Sequence, residues 1–395
     1  MVGRRCIGLI AVLLSVAMAP ESALAQKAPT VVALQKIPRP KPAAPRLKGV
    51  PEPKEVHAKL RPLANPITKL TPFDISPFPF DGVKPNEGPF LNVSASGRRG
   101  HSSRGGVYWE DTTYSDRRVL LSMPKGFDIR KPAVMVVFFH GNGATLERDV
   151  AARQQVPQQL AAAGINAVLV APQFAVDALD SSAGSFWQPG TFRQFLDEAV
   201  VRLTEQYGDE RARKAFAKMP VVLIAYSGGY MPAAYSLYAG EANERIKGVV
   251  LLDALYGEAP KFAQWVASEQ GRKGFFVSTY TGSSAGGNRQ VQKLLANGPV
   301  KPLRVLPPKL GKGVVAFLPA LPDAVHGNVV THAFADNPIK EVLLRLPEYA
   351  HRPGAVKSTY KAPSTQQQQL ILQQESTLPD SAGPDPAQPA APLPQ

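Results

Sequence analysis

The stretch Pro220-Val-Val-Leu-Ile-Ala-Tyr-Ser-Gly-Gly-Tyr230 runs from six consecutive apolar or aromatic residues into a serine flanked by small residues. A continuous apolar run of strand length predicts a strand buried on both faces, not one with a wet side. The residues after it, GYMPAAYSLYAG, are compatible with a helix whose early Pro232 sits in the first turn. A serine at a strand-to-helix corner needs small residues two before and two after it, because strand and helix crowd together there. Ala225 and Gly229 meet that need. Alone, the pattern small-x-Ser-x-small also describes an ordinary glycine turn. Its context argues for a serine held up as a nucleophile.

Working outward, the same alternation repeats. AVMVVFFH (133–140), NAVLVAP (166–172), IKGVVLLD (246–253), GFFVSTY (274–280) and GVVAFLPA (313–320) read as strands. Between them lie helical segments. ERDVAARQQVPQQLAAAG is bent or split at Pro157, GTFRQFLDEAVVRLTEQYG is amphipathic and ends at Gly208, and KFAQWVASEQG, RQVQKLLANG and NPIKEVLLRLP complete the set. Strands alternating with helices imply right-handed crossovers and a mainly parallel sheet covered by helices on both faces. The α/β domain is expected over 106–350, with GVYWED and DRRVLLSMP as a joined pair of early strands.

The ends read differently. Arg4-Arg5, the apolar run Ile7 to Ala19 and Ala23-Leu24-Ala25 make residues 1–25 an export signal. That run is too short for a membrane span, and no other apolar run of about 18 residues follows. Residues 26–105 read as a Pro-rich basic arm and an irregular segment, with no element expected over 76–104. About half of the net charge of +14 sits here: 26–75 hold ten Lys or Arg, three acids and ten prolines. A solvated linker is the bland reading of that arm; the sharper one is tethering to an anionic envelope surface. Export argues against a nucleic-acid partner. Residues 351–395 are rich in Gln, Pro and Ala and are expected to be a disordered tail. The single cysteine, Cys6, lies in the signal, so the mature chain offers no disulfide, thiolate nucleophile or cysteine metal site, and no cofactor is called for. The protein is expected to be exported, periplasmic or secreted.

A nucleophilic serine needs a base and something to orient it. Of six histidines, His57, His101 and His351 fall outside the expected domain. His140 opens HGNG (140–143), a loop directly after a buried strand that can turn N–H groups towards an oxyanion; Asn142 and Gly143, with Gly228, are the candidate donors, and the His140 ring supports the loop. His332 sits among apolar residues in VVTHAFA and reads as a packed or hydrogen-bonded histidine. His326, in PDAVHGN after the last strand, is the better base. No acid occurs between Glu269 and Asp323, so GFFVSTY cannot present one at its end. Asp253 ends the preceding strand, where burial without a partner would be expensive. Glu258 and Asp323 stay in reserve.

HGNG, AYSGG, LLDALYG and DAVHGN, in that order, resemble the α/β-hydrolase superfamily over roughly residues 106–346. The resemblance implies a serine nucleophile at Ser227, a base at His326 and an acid at Asp253, in the chain order Ser, Asp, His. Two departures are Ala225 in place of the usual glycine and an acid one strand earlier than usual. It implies acyl transfer, most simply carboxylic-ester hydrolysis of a small-molecule or acyl substrate. An amidase or peptidase of the same fold, and a non-catalytic envelope-binding protein on a hydrolase scaffold, are the alternatives. In the long connection from Gln173 to Phe195, Phe186 and Trp187 are candidates for a lid or acyl pocket, or else simply core. SSAGGNRQ (283–290) lacks the lysine of a phosphate loop and reads as a helix lead-in.

Overall fold

The apolar runs form strands because residues on both of their faces find a core. A computed structural model describes residues 60–349, 357–364, 366, 369 and 373, all within the unit Ala58–Gln395; a second unit, Met1–His57, lies outside the described residues. The strands are β1 (Ile67–Pro72), β2 (Val93–Ala95), β3 (Arg98–Ser103), β4 (Gly106–Trp109), β5 (Arg118–Met123), β6 (Val134–Phe139), β7 (Ala167–Pro172), β8 (Val221–Tyr226), β9 (Ile246–Leu252), β10 (Phe275–Tyr280) and β11 (Val314–Pro319). Eight of them make one sheet in the order β1-β5-β7-β6-β8-β9-β10-β11. From β7 to β11 every pairing is parallel, while β5 is antiparallel to both β1 and β7.

Alternate residues of one strand feed opposite cores. On β8, Val221, Leu223 and Ala225 join one apolar cluster and Val222, Ile224 and Tyr226 the other. The first is covered by the helix Thr191–Tyr207, which buries Phe192, Phe195, Leu196, Ala199, Val200 and Leu203 along one stripe and ends at Gly208 with φ +80°. The second is covered by Val156–Ala163 and Pro338–Leu343. The segment around Pro157 is split as expected: a π-helical stretch, Leu146–Arg153, is separated from Val156–Ala163 by Gln155 at φ +52°.

The expected start of order near Gly106 is corrected. β1 lies along β5 from Ile67 opposite Met123 to Pro72 opposite Arg118, and Leu63 N–H already donates to Phe127 O at 2.9 Å. Pro72 is tolerated because β1 is an edge strand and its last residue. Residues 76–104 are not irregular throughout: β2 and β3 pair, and β4 pairs with β3 rather than with β5. Phe73, Phe78, Phe80 and Phe90 are buried, the last three in an aromatic cluster with Tyr114 and Trp187. Single phenylalanines between prolines bury as much area as those in a helix, but they carry no period to read. The expected disordered tail is likewise corrected at its start, since Ser358 and Thr359 bond Glu341 and Tyr360 packs on Phe334. The export signal, the arm up to residue 59 and most of the tail lie outside the described residues. No helix among the described residues is long and apolar enough to cross a membrane.

Candidate active site

β8 delivers Ser227 onto a backbone that non-glycine residues avoid, with φ +49°. Such a residue costs on the order of 1–3 kcal/mol and persists only where its surroundings over-determine it. Here they do. A Cβ added at Gly229 would lie 2.5 Å from the Phe139 carbonyl oxygen, and one at Gly141 would lie 2.7 Å from Ser227 Cβ. Strand ends β6 and β8 and the helix Tyr230–Tyr238 therefore converge as closely as the small residues permit. Ala225, the expected departure, is fully buried under this corner.

Two further strand ends supply the rest. Ser227 Oγ lies 2.8 Å from His326 Nε2, and His326 Nδ1 lies 2.7 Å from Asp253 Oδ2. Ser227 follows β8, Asp253 follows β9, and His326 opens a one-turn 3-10 helix after β11. All are at the carboxyl ends of the strands, where open parallel sheets place their ligands. Tyr226 fixes the histidine from below: its hydroxyl donates to His326 O at 3.0 Å and its ring stacks on the imidazole. Ser227 and Asp253 are buried; the His326 side chain keeps 11% of its surface.

Asp253 is fully buried yet ionised. Burial pushes its carboxyl up, but hydrogen bonds from His326, Ser284 and the Thr281 N–H outweigh this and hold it below the usual carboxylate range. Its Oδ1 accepts from Thr281 N–H at 2.9 Å and from the Ser284 hydroxyl, and its Oδ2 accepts from Thr281 Oγ1 at 2.8 Å and Ser283 Oγ at 3.1 Å. These hydroxyls, with Tyr256, were not singled out from sequence as site residues. Ser283 and Ser284 do lead into a helix, Ala285–Leu295, and they hold the acid on the way. The reserve acids are engaged elsewhere: Glu258 pairs with Lys261, and Asp323 with His332 at 3.0 Å. His332 is the hydrogen-bonded histidine of its two readings, not the packed one: it bridges Asp323 and Asp336 at the surface.

The loop after β6 is braced by His140. Its Nε2 accepts from Phe174 N–H at 2.8 Å, so the ring hydrogen is on Nδ1 and donates to Gly141 O at 2.8 Å. Complete burial pushes its pKa down and keeps it neutral. Gln173, also missed, ties the same loop through Leu146 and Ala144. Gly228 stands at the start of the helix, where N–H groups have no intrahelical partner. The Asn142 amide oxygen lies beside it, 2.0 Å from where a Gly228 Cβ would be, and accepts from Ser181 Oγ at 3.1 Å. Gly143 is a correction: its N–H donates to Ala178 O at 2.8 Å and is not offered to the site. Phe186 and Trp187 are corrected too. Phe186 is enclosed by Phe139, Phe174, Phe192 and Phe195, and Trp187 by Phe80, Phe90 and Tyr235, so both belong to the core.

A strained serine between a parallel strand and a helix, with acid and histidine following on later strand ends, decides the architecture. This is the α/β-hydrolase fold. No protein-family model and no curated protein matches the chain. Among solved structures, the chain is similar to the feruloyl esterase module from Clostridium thermocellum, at 15% identity over 70% of this chain and 99% of that one, with a TM-score of 0.40. It is also similar to an S-formylglutathione hydrolase from Agrobacterium tumefaciens, at 12% identity over 64% and 98%, TM-score 0.38. An alpha-beta serine hydrolase homologue from Coxiella burnetii matches at 13% identity over 64% and 98%, TM-score 0.33. On this hydrolase fold, the sequence motifs HGNG, AYSGG, LLDALYG and DAVHGN all lie at one end of the sheet.

Proposed function

We propose that the protein is an exported serine hydrolase that cleaves a carboxylic ester through an acyl-enzyme. The observation that carries this reading is the unbroken line Ser227 Oγ, His326 Nε2, His326 Nδ1, Asp253 Oδ2, with both links at or below 2.8 Å. Ser227 Oγ attacks the ester carbonyl carbon and its proton passes to His326 Nε2. The Gly228 N–H, with the loop after β6, faces the developing oxyanion. As the tetrahedral intermediate collapses, the leaving alcohol takes the proton from Nε2. Water then repeats the sequence on the acyl-Ser227 ester, and the acid departs. Asp253, held ionised, stabilises the imidazolium at both stages. Export rests on residues 1–25 of the sequence.

The test is labelling of the purified mature protein with a fluorophosphonate, beside turnover of p-nitrophenyl esters and the matching p-nitroanilides. Wild type is expected to label and to turn over esters faster than anilides. Ser227→Ala and His326→Ala should do neither, and His332→Ala should do both. A well-folded wild type that neither labels nor turns over would sink the reading, and faster anilide cleavage would replace esterase by amidase.

A further inference from the structure

Tyr256 lies three residues beyond Asp253, before the helix Ala259–Ala267, and has no place in the triad scheme above. Its hydroxyl oxygen is 3.0 Å from His326 Nδ1, 2.7 Å from Ser283 Oγ and 3.4 Å from Asp253 Oδ2. Its ring stands edge-on to the imidazole, with centroids 5.7 Å apart and planes at 85°.

Counting protons gives these distances a direction. For Ser227 to donate to Nε2, that nitrogen must be bare, so the ring hydrogen sits on Nδ1. The Nδ1–H faces two acceptors, Asp253 Oδ2 at 2.7 Å and the Tyr256 oxygen at 3.0 Å. With its oxygen accepting, Tyr256 can send its own hydrogen to Ser283 Oγ, and Ser283 can send its hydrogen to Asp253 Oδ2 at 3.1 Å. The donors and acceptors then close a ring through His326, Tyr256, Ser283 and Asp253. Turning the imidazole out of line breaks two of its bonds, not one. Hydrogen bonds linked in this way also polarise one another.

Resting on the reading of Ser227, His326 and Asp253 as a working triad, we propose that Tyr256 is a positioning residue. Its hydroxyl, oriented by Ser283, holds the His326 ring with Nε2 towards Ser227 and receives part of the Nδ1–H bond when the ring becomes imidazolium. A bond to a charged donor is stronger than one to a neutral donor, so this contact tightens as the proton arrives. Interactions that strengthen on the way to the transition state appear in kcat, not in KM.

The experiment compares wild type, Tyr256→Phe, Ser283→Ala and the double variant on a p-nitrophenyl ester, together with proton NMR of the His326 Nδ1–H. Phenylalanine keeps the ring and its packing. The expected result is a fall in kcat on the order of tenfold for Tyr256→Phe with KM within about twofold. The Nδ1–H resonance should move, and the double variant should lose far less than the product of the two single losses. A kcat within about twofold of wild type overturns the inference, as does a fall in kcat with an unmoved resonance, which marks a packing role. An active wild type with an indifferent Tyr256→Phe sinks this inference alone; a wild type without turnover sinks the triad reading beneath it.

Discussion

Ser227 and Asp253 leave adjacent parallel strands through the same backbone conformation, φ +49° at the serine and +46° at the aspartate. Neither residue is glycine, and each puts a polar side chain at a buried strand end. The fold thus stores two strained corners side by side, and each turns a side chain towards His326.

Strain at the serine should be visible in stability. Ser227→Ala removes the hydroxyl but keeps a Cβ in the left-handed region, whereas Ser227→Gly removes both. We expect the glycine variant to be more stable than the alanine variant by about 1 kcal/mol, and on the proposed function neither should turn over ester. Urea unfolding of the pair measures this, and alanine equal to or above glycine would mean the corner is unstrained.

Gly228 and Gly229 should separate activity from folding. A Cβ at Gly229 meets the Phe139 backbone oxygen at 2.5 Å, and a backbone cannot swing aside. A Cβ at Gly228 meets the Asn142 side chain at 2.0 Å and the Ser181 hydroxyl at 2.7 Å, both of which can move. Gly229→Ala is expected to lose about 2 kcal/mol or more by urea unfolding. Gly228→Ala should unfold at close to the wild-type midpoint yet lose ester turnover, because displacing Asn142 disturbs the loop that the proposed function assigns to the oxyanion.

His332 gives a signed pH effect. Hydrogen bonds that its ring donates to the carboxylates of Asp323 and Asp336 raise its pKa above the ordinary 6.5. A group whose folded pKa is raised stabilises fully below the unfolded value and loses that contribution as pH climbs through the folded one. Wild type should therefore exceed His332→Gln in urea midpoint below pH 6.5, and the gap should narrow as pH rises above it. Because the pair is at the surface, the gap should also shrink in high salt. A gap that widens towards alkaline pH would contradict the assignment.

Glu341 gives the opposite sign. Buried beside Lys340, it accepts from Arg345 at 2.9 Å, from Ser358 at 2.5 Å and from Thr359 N–H at 2.9 Å. Burial pushes its carboxyl up, these partners outweigh that, and the net value is about 2. A depressed pKa stabilises above the ordinary 4.5 and is lost as pH falls towards 2. Glu341→Gln should cost about 2 kcal/mol near neutral pH, and the difference should fade across that acid window in a series of thermal melts. A difference independent of pH would assign the loss to packing.

Legibility in the sequence followed the physics of each element. β6, β7 and β8 could be read because burial on both faces demands unbroken apolar runs. Ser227 could be read because crowding leaves a signature of small neighbours, and Asp253 because the chain offers no acid from residue 270 to 322. β1 could not. ITKLTP is an edge strand, its residues half-buried or exposed, and it is defined by pairing with β5 fifty residues on. Nor could the Gly143 bond to Ala178 or the enclosure of Phe186, both of which depend on how a long connection folds back. Thr281, Ser283 and Tyr256 look like turn residues until Asp253 is placed among them.

The turn after β10 carries no carboxylate, yet its Thr281 and Ser283 hydroxyls reach the same Asp253 oxygen that His326 uses. The imidazole is thus tied to the end of β9 directly and to the turn after β10 through that one carboxylate oxygen. The strand end that brings no charge still steadies the one that does, because both turns meet at the carboxylate oxygen facing Nδ1.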